Sequence, residues 1–469
     1  MRIQFATNSY RSQALPLSAQ QLINAFAEAE PQDAKSPVAV FGTPGLTLFA
    51  TCGVGPIRGL HVMGGVLYAV SGPLLYSVTS AGVAAVVGGS VSGAGYVCMT
   101  DNGSQLLIVN GTYGYIYSVA DGFQVITSTN FHAATSATFF DNYFVLTWDG
   151  TNKIFISGSL DGTSYNGLDF ASAEVQPDNV LAVVNQQENL LIFGTNTIET
   201  WYDAGTVNFP FQRIDGGTIE RGCAAALTPV KEDNSVFFLG DDLIFYRLDG
   251  TLPKRVSTHA IEEAWRQYSV VSDAYCFSYT FQGHKFIVLT FPNANATWVY
   301  DIATSLWHER DSWDIFNNSY GRWRGSSVAN VYNRTLIGDA YSGQIGYIDN
   351  TVFTEFGNTM RALMVAPVIH NDRRRVFFPL FELDIEQGVG ITTGQGSDPQ
   401  IMLDWSDDGG RVFKGFQLWQ SMGKIGEYNK RLRWLRLGQS RNRMYRVQIS
   451  DPVPRVIIAA HANMEVGLE

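Results

Sequence analysis

Across residues 188–205, ENLLIFGTNTIETWYDAG, four apolar residues run into Gly194 and Asn196. A second run then alternates, with Ile198, Thr200 and Tyr202 on one face and Glu199 and Trp201 on the other. β-Branched and aromatic residues bounded by Gly and Asn predict a hairpin. An apolar run at 180–184 precedes it and another at 209–214 follows, so four antiparallel strands are expected within about 40 residues. A sheet of that size has two faces to bury and needs neighbours like itself.

The chain supplies them. Units of the same form, an apolar strand, a turn and an aromatic-rich strand ending near Gly or Asp, begin near Pro56, Tyr96, Ala137, Val180, Cys223, Ala274 and Ser326. Their centres include GVLYAVSGPLLYSV from Gly65, QLLIVNGTYGYIYSV from Gln105, NYFVLTWDGTNKIFIS from Asn142 and SVFFLGDDLIFYRLDG from Ser235. Four strands at this period predict a β-propeller of about seven blades over residues 51–355. Residues 1–50 hold no repeat and read as an arm that packs on the propeller or on a neighbour. Within it, SAQQLINAFAEAE (18–30) predicts a short helix capped by Ser18, with Leu22, Ala25 and Phe26 on one face. A second helical segment, HAIEEAWRQ (259–267), falls where the fifth unit lengthens, and a polar aromatic stretch (307–323) lengthens the sixth. Beyond Gly357 the repeat stops. VFFPLFELDIEQG, DPQIMLDWSDDGG, RLRWLRLGQS, MYRVQISDP and similar stretches predict a C-terminal β-sandwich-like domain over residues 356–469, making the chain all-β.

Composition sharpens this picture in two places. Charged residues are 16% of the chain, well under the usual quarter, and the net charge of −11 argues against a general nucleic-acid-binding surface. The charge is also uneven. Residues 360–469 carry 15 Lys+Arg against 12 Asp+Glu, and the remainder therefore carries 17 against 31. An acidic propeller is thus joined to a slightly basic C-terminal part. No apolar run approaches a membrane span and the N-terminus lacks an apolar signal-like stretch, so synthesis in a cytoplasm is expected. Cys52, Cys98, Cys223 and Cys276 lie far apart without CxxC spacing, which predicts buried free thiols, no metal and no cofactor.

Candidate chemistry is sparse. SDDGGRVF (406–413) fits the Asp-box hairpin of sialidase propellers, in which the Asp side chain binds nearby backbone amides; occurring once and outside the repeats, it reads as a folding device. A glycosidase needs paired carboxylates across a cleft. The adjacent pairs Asp241–Asp242, Glu262–Glu263 and Asp407–Asp408 point apart on a strand or turn. His259 and Glu262 form half of a zincin-like motif with no second His. No catalytic residue is selected. The basic clusters are Arg373, Arg374 and Arg375, together with Arg431, Arg433, Arg436, Arg441, Arg443 and Arg446; of these, all but Arg446 are the candidate protein-contact residues. The competing reading is a solvated strand edge that deters edge pairing.

Dispersed stretches carry a family resemblance: VFGTPGL (40–46), LDFASAEVQPDNV (168–180), GTNTIETWYDAG (194–205), FPFQRIDGGTIERGCAA (209–225), VSTHAIEE (256–263), LDWSDDGGRVF (403–413) and RLRWLRLGQSRNRMYRVQISDPV (431–453). With them the chain resembles the packaged-DNA stabilisation proteins of short-tailed bacteriophages, the tail hub or nozzle component. The resemblance implies a structural virion protein of the phage tail, not an enzyme, made in the bacterial host cytoplasm. It also implies a homohexameric ring below the portal and adaptor ring, in contact with other tail proteins such as the needle and the tailspike or fibre. That ring would close the portal channel, retain packaged DNA and form part of the ejection conduit, with double-stranded DNA passing through its lumen without sequence-specific binding. An acidic lumen suits this passage, since neutralised phosphates would make DNA adhere. Two other classes fit the residues: a sialidase-like propeller glycosidase acting on host-surface sugars, and a generic propeller recognition module.

Overall fold

The computed structural model describes every residue except 1, 4, 6, 207, 208, 316, 468 and 469. Its strands form the expected radial sheets. The hairpin of residues 188–205 is Asn189–Gly194 paired with Ile198–Asp203, flanked by Val180–Gln186 and Phe211–Ile219 in one four-stranded antiparallel blade. Six such blades consist of four strands consecutive in sequence, starting at Ile57–Met63, Cys98–Asp101, Ala137–Phe140, Val180–Gln186, Val230–Glu232 and Tyr275–Phe281. A seventh sheet has three consecutive strands, Gly325–Val331, Arg334–Asp339 and Gln344–Asp349. It takes its fourth from the N-terminal side, where Gly45–Thr51 pairs antiparallel with Gln344–Asp349.

The packing explains why these sheets close on one another. Both faces of a blade are apolar, so Ile198, Glu199, Thr200 and Trp201 are all buried despite their alternation. Seven buried clusters each draw on two adjacent blades, from Ile57, Leu67, Leu336 and Ile345 between the last and first to Phe277, Val288, Trp323 and Ile337 between the sixth and seventh. Between the fifth and sixth, the helix His259–Arg266 inserts Trp265 against Phe291, Trp298 and Trp307. Thr258 occupies its N-cap position without a side-chain cap.

Residues 18–30 correct the expected helix. They form two strands, Ala19–Ile23 and Ala25–Ala29, separated by Asn24 at φ +52°. The i, i+3, i+4 spacing of Leu22, Ala25 and Phe26 was helical by coincidence, because Ala19, Leu22, Ile23, Ala25, Phe26 and Ala27 are all buried. The segment lies between two bodies that each offer a sheet edge, and this pairing overrides its helix propensity. Ala19–Ile23 joins Ala362–Val365 on one side and touches Leu306–Asp314 of the sixth blade on the other, at Ile23 and Glu309.

The C-terminal part is a two-sheet sandwich to which the N-terminal segment contributes strands on both sides. One sheet runs Ala25–Ala29, Val38–Gly42, Val456–Val466, Val376–Ile385, Leu432–Leu435. The other runs Ala19–Ile23, Ala362–Val365, Asn442–Ile449, Gln400–Ser406, Leu418–Ser421. Phe381, Trp434, Tyr445 and Ile449 fill the space between them. The junction with the propeller is polar and buried. Asn24 Nδ2 donates to Asp311 Oδ1 (2.7 Å) and to the Arg361 carbonyl (2.8 Å), and Arg361 pairs with Asp311. Nearby, Ser312 and Trp323 donate to the buried Glu355 (2.6 and 2.8 Å).

Candidate protein-contact surface

The acidic pairs singled out in the sequence do not face one another across a cleft. Asp241 and Asp242 both receive Arg221 (3.3 and 2.9 Å). Glu262 is buried against Arg255 and Ser257 (2.7 Å each), whereas Glu263 lies beside Arg266 and Gln267. Asp407 receives Arg443 (2.6 Å) and Lys414 (2.9 Å). Burial alone would raise the Asp407 carboxyl, but these cations hold it below its ordinary value. Asp408 Oδ1 accepts Ser406 Oγ (2.6 Å) and the amides of Arg411 and Val412 (3.0 Å each), the turn-closing pattern of an Asp-box. These bonds hold its carboxyl below the usual range. Tyr96, ahead of the second blade, reaches Tyr275 of the sixth, with ring centroids 4.1 Å apart, and receives Arg322 Nη1 at 3.1 Å, a contact between blades that are not neighbours.

The arginines behave differently. In the strand Leu432–Leu435 the side chains alternate: Leu432 and Trp434 enter the sandwich core and Arg433 and Leu435 face outward. Arg436, at φ +58°, breaks the phase and turns the chain toward Gln439–Ser440. Both short strands pair with Val376–Ile385, and the other cluster lies in the turn just ahead of that strand, so sheet pairing brings two clusters distant in sequence onto one surface. Arg441 Nε donates to the Arg373 carbonyl (3.0 Å), which fixes the 373–375 turn beside the second group. Arg373, Arg374, Arg375, Arg431, Arg433, Arg436 and Arg441 are exposed.

One of these seven is neutralised. Arg431 makes two 2.8 Å bonds to Glu382, which depress that carboxyl and raise the guanidinium. Among the described residues the other six have no salt bridge. Arg443 is set apart: it is 1% exposed, bonded to Asp407 and to the Leu437 carbonyl (3.0 Å), and lies over Phe378 and Trp405. It is a core cation, removed from the exposed set by its inward register. Arg446 is partly buried, close to the rings of Phe413 and Phe416 and against Asp404.

Two further members of the surface are not evident from the sequence alone. Phe377 and Leu435 are large apolar side chains 43% and 65% exposed, on the two strands that hold the arginines. The signal for Leu435 was its phase with Arg431 and Arg433; Phe377 was hidden inside an apolar run. Arginine beside exposed aromatic or aliphatic groups is the composition of a protein–protein contact, because the guanidinium pairs bidentately while its plane covers apolar area.

The chain is thus a propeller joined to a sandwich that carries a basic, partly apolar outer surface. Among the described residues no helix is long and apolar enough to cross a membrane. The chain belongs to the family of bacteriophage P22 Gp10: the model of its β-propeller matches residues 1–353 and that of its β-sandwich matches residues 361–465. It is 23% identical over 404 residues to the tail hub protein gp10 of Salmonella phage P22, covering 80% of this chain and 82% of that protein. The family places it among structural proteins of phage tails. Among solved structures, it is similar to the computationally designed Ika8 protein (TM-score 0.38, 12% identity, 65% of this chain and 99% of that one). It is also similar to the extracellular domain of a putative hybrid two-component system of B. thetaiotaomicron (TM-score 0.45, 10% identity, 74% and 45%).

Proposed function

We propose that this chain is a tail hub that assembles as a homohexameric ring beneath a portal and adaptor ring, closes the channel on packaged DNA, and later forms part of the ejection conduit. The observation that carries this reading is the sandwich surface: six exposed arginines without a salt bridge among the described residues, beside Phe377 and Leu435, on a chain whose remaining part is strongly acidic. Such a surface suits an acidic protein, either an adaptor or other tail component or the propeller of a neighbouring copy. The Tyr96–Tyr275 contact, which joins the second blade to the non-neighbouring sixth, favours passage of DNA through the lumen of the ring over passage through a single propeller. An acidic wall would let DNA slide, since each neutralised phosphate adds affinity. In this reading residues 51–355 act as a stiff wall and residues 356–469 as the docking part.

The test is a charge reversal confined to exposed arginines that make no salt bridge among the described residues, Arg374→Glu, Arg375→Glu and Arg436→Glu together, because exposed pairs contribute only about 0–1 kcal/mol each. The variant is expected to melt as the parent does, to be left out of virus particles, and to yield particles that lose their DNA. Normal incorporation with retained genomes would show the surface to be merely solvated. Purified protein is expected not to hydrolyse sialosides or other glycosides; turnover abolished by Asp408→Ala in a folded chain would favour the glycosidase instead.

A further inference from the structure

One segment of the chain serves both bodies. Ala19–Ile23, Ala25–Ala29 and Val38–Gly42 lie in the sandwich, and only Thr43 and Pro44 separate them from Gly45–Thr51, the strand that completes the seventh blade. The ring of blades is closed there by pairing and not by the chain, since the other three strands of that blade come from residues 325–349. The closing pairing is also irregular, with a shift of register between Ile345 and Gly346. A displacement of the sandwich with its N-terminal strands therefore pulls directly on the strand that ties the seventh blade to the first.

A second tie crosses the same seam without that strand. Tyr96 follows the first blade in the chain, whereas its partners Tyr275 and Arg322 precede the last strands of the seventh. Besides the Tyr96–Tyr275 ring contact and the Arg322 hydrogen bond, Tyr275 Oη donates to the Gly325 carbonyl at 3.0 Å, where the seventh blade begins. Tyr96 also packs against the buried cluster that holds Phe277, Trp323 and Ile337. Its own segment is fixed at the root. Arg58, 3% exposed on the first strand of the first blade, donates to the carbonyls of Val91 (2.9 Å), Ser92 (2.8 Å) and Gly95 (2.6 Å), and to that of Gly72 (2.9 Å). Ser92 N donates to Tyr115 Oη at 2.9 Å. A buried guanidinium is costly unless its donors are filled, and filling them here pins residues 91–95. Tyr96 thus meets its partners from a backbone already ordered, with little entropy left to lose. We infer that the Tyr96 contact is a clasp that keeps the propeller closed independently of Gly45–Thr51, so that the sandwich and its N-terminal strands can shift without opening the wall. The inference stands apart from the arginine surface and from ring assembly.

The experiment is hydrogen exchange read by mass spectrometry on the full chain, with Ala50→Gly to loosen the closing strand and Tyr96→Ala to remove the clasp, singly and together. Ala50 is buried on the closing strand opposite Ile345. Ala50→Gly alone is expected to raise exchange in Gly45–Thr51 about two- to fivefold, the cost of Gly within a strand. It should leave Val66–Ser71 and Arg334–Asp339, on the two sides of the seam, within about twofold of the parent, because the clasp holds them. In the Tyr96→Ala background the same Ala50→Gly change should spread, raising exchange in those two flanking strands by about two- to fivefold as well. The third and fourth blades should not respond. Arg322→Gln, which removes the Tyr96 hydrogen bond from the other side, is expected to let the change spread in the same way and serves in place of Tyr96→Ala if that variant does not fold. The inference is overturned if Ala50→Gly acts on the flanking strands equally with and without the clasp. It is overturned too if loss of the clasp raises exchange evenly over all blades.

Discussion

Asn24 sits where the N-terminal segment, the sixth blade and the start of the sandwich meet, and replacing it tests whether a buried polar group holds that junction. It is fully buried. Its Nδ2 donates to the Asp311 carbonyl (3.0 Å), to Asp311 Oδ1 (2.7 Å) and to the Arg361 carbonyl (2.8 Å), while Oδ1 accepts from Asp311 N at 3.2 Å. Asn24→Ala leaves at least the Asp311 amide and the Arg361 carbonyl without that partner, at ~1–3 kcal/mol each. It also places Ala at φ +52°, which costs a further ~1–2 kcal/mol. A loss of about 3–8 kcal/mol is expected. Asn24→Gly keeps the left-handed backbone inexpensive and should recover only about 1 kcal/mol of it. Asn24→Asp sets a second carboxylate against Asp311, whose own carboxyl burial already holds above its ordinary value despite Arg361. A carboxyl raised in the fold contributes stability below its unfolded pKa that is lost as pH rises through the folded pKa, so Asn24→Asp should be less harmful at acid pH than at alkaline pH. Urea unfolding followed by tryptophan fluorescence, with limited proteolysis between blades and sandwich, measures all three. A loss under 1 kcal/mol for Asn24→Ala, or a pH-independent effect of Asn24→Asp, would falsify the assignment of this junction.

Trp201→Ala and Phe237→Ala, both buried, should each cost ~3–5 kcal/mol in chemical denaturation, with Trp201 at the upper end because its Nε1 satisfies the buried Glu199 at 2.8 Å. His308 is buried with its pKa lowered to about 3, first by desolvation and then by Arg310 and His284. The folded chain therefore binds its proton later than the unfolded chain, and stability present above pH ~6.5 should fall as pH drops toward 3; His308→Phe should flatten that decline in a pH series of melts, and an unchanged slope would assign the acid sensitivity elsewhere. Asp408→Ala should raise hydrogen exchange at Arg411 and Val412 while leaving the blades unaffected; protection unchanged at both amides would mean the turn closes without its carboxylate.

Period and alternation are local properties, and they were legible in the sequence. The hairpin at 188–205, the unit starts near Ala137 and Val180, the helix at 259–266 and the alternation of Leu432 and Trp434 each depend on residues a few positions apart, where side-chain direction follows directly from the backbone repeat. The family stretches were legible for the same reason, since they are contiguous. What residues 18–30 become was not, because Ala, Gln and Glu favour a helix and only the sheet edges of the sixth blade and the sandwich, some 300 residues away, convert them to strands. The arginine surface shows the same division. Sequence supplied its members, but the pairing of Val376–Ile385 with Leu432–Leu435 and Gln439–Ser440 decided that two clusters form one surface. That pairing also decided that Leu435 joins them and that Arg443, two residues from Arg441, points inward to Asp407. Charge is written in the residue, whereas exposure and partnership arise only when distant strands meet.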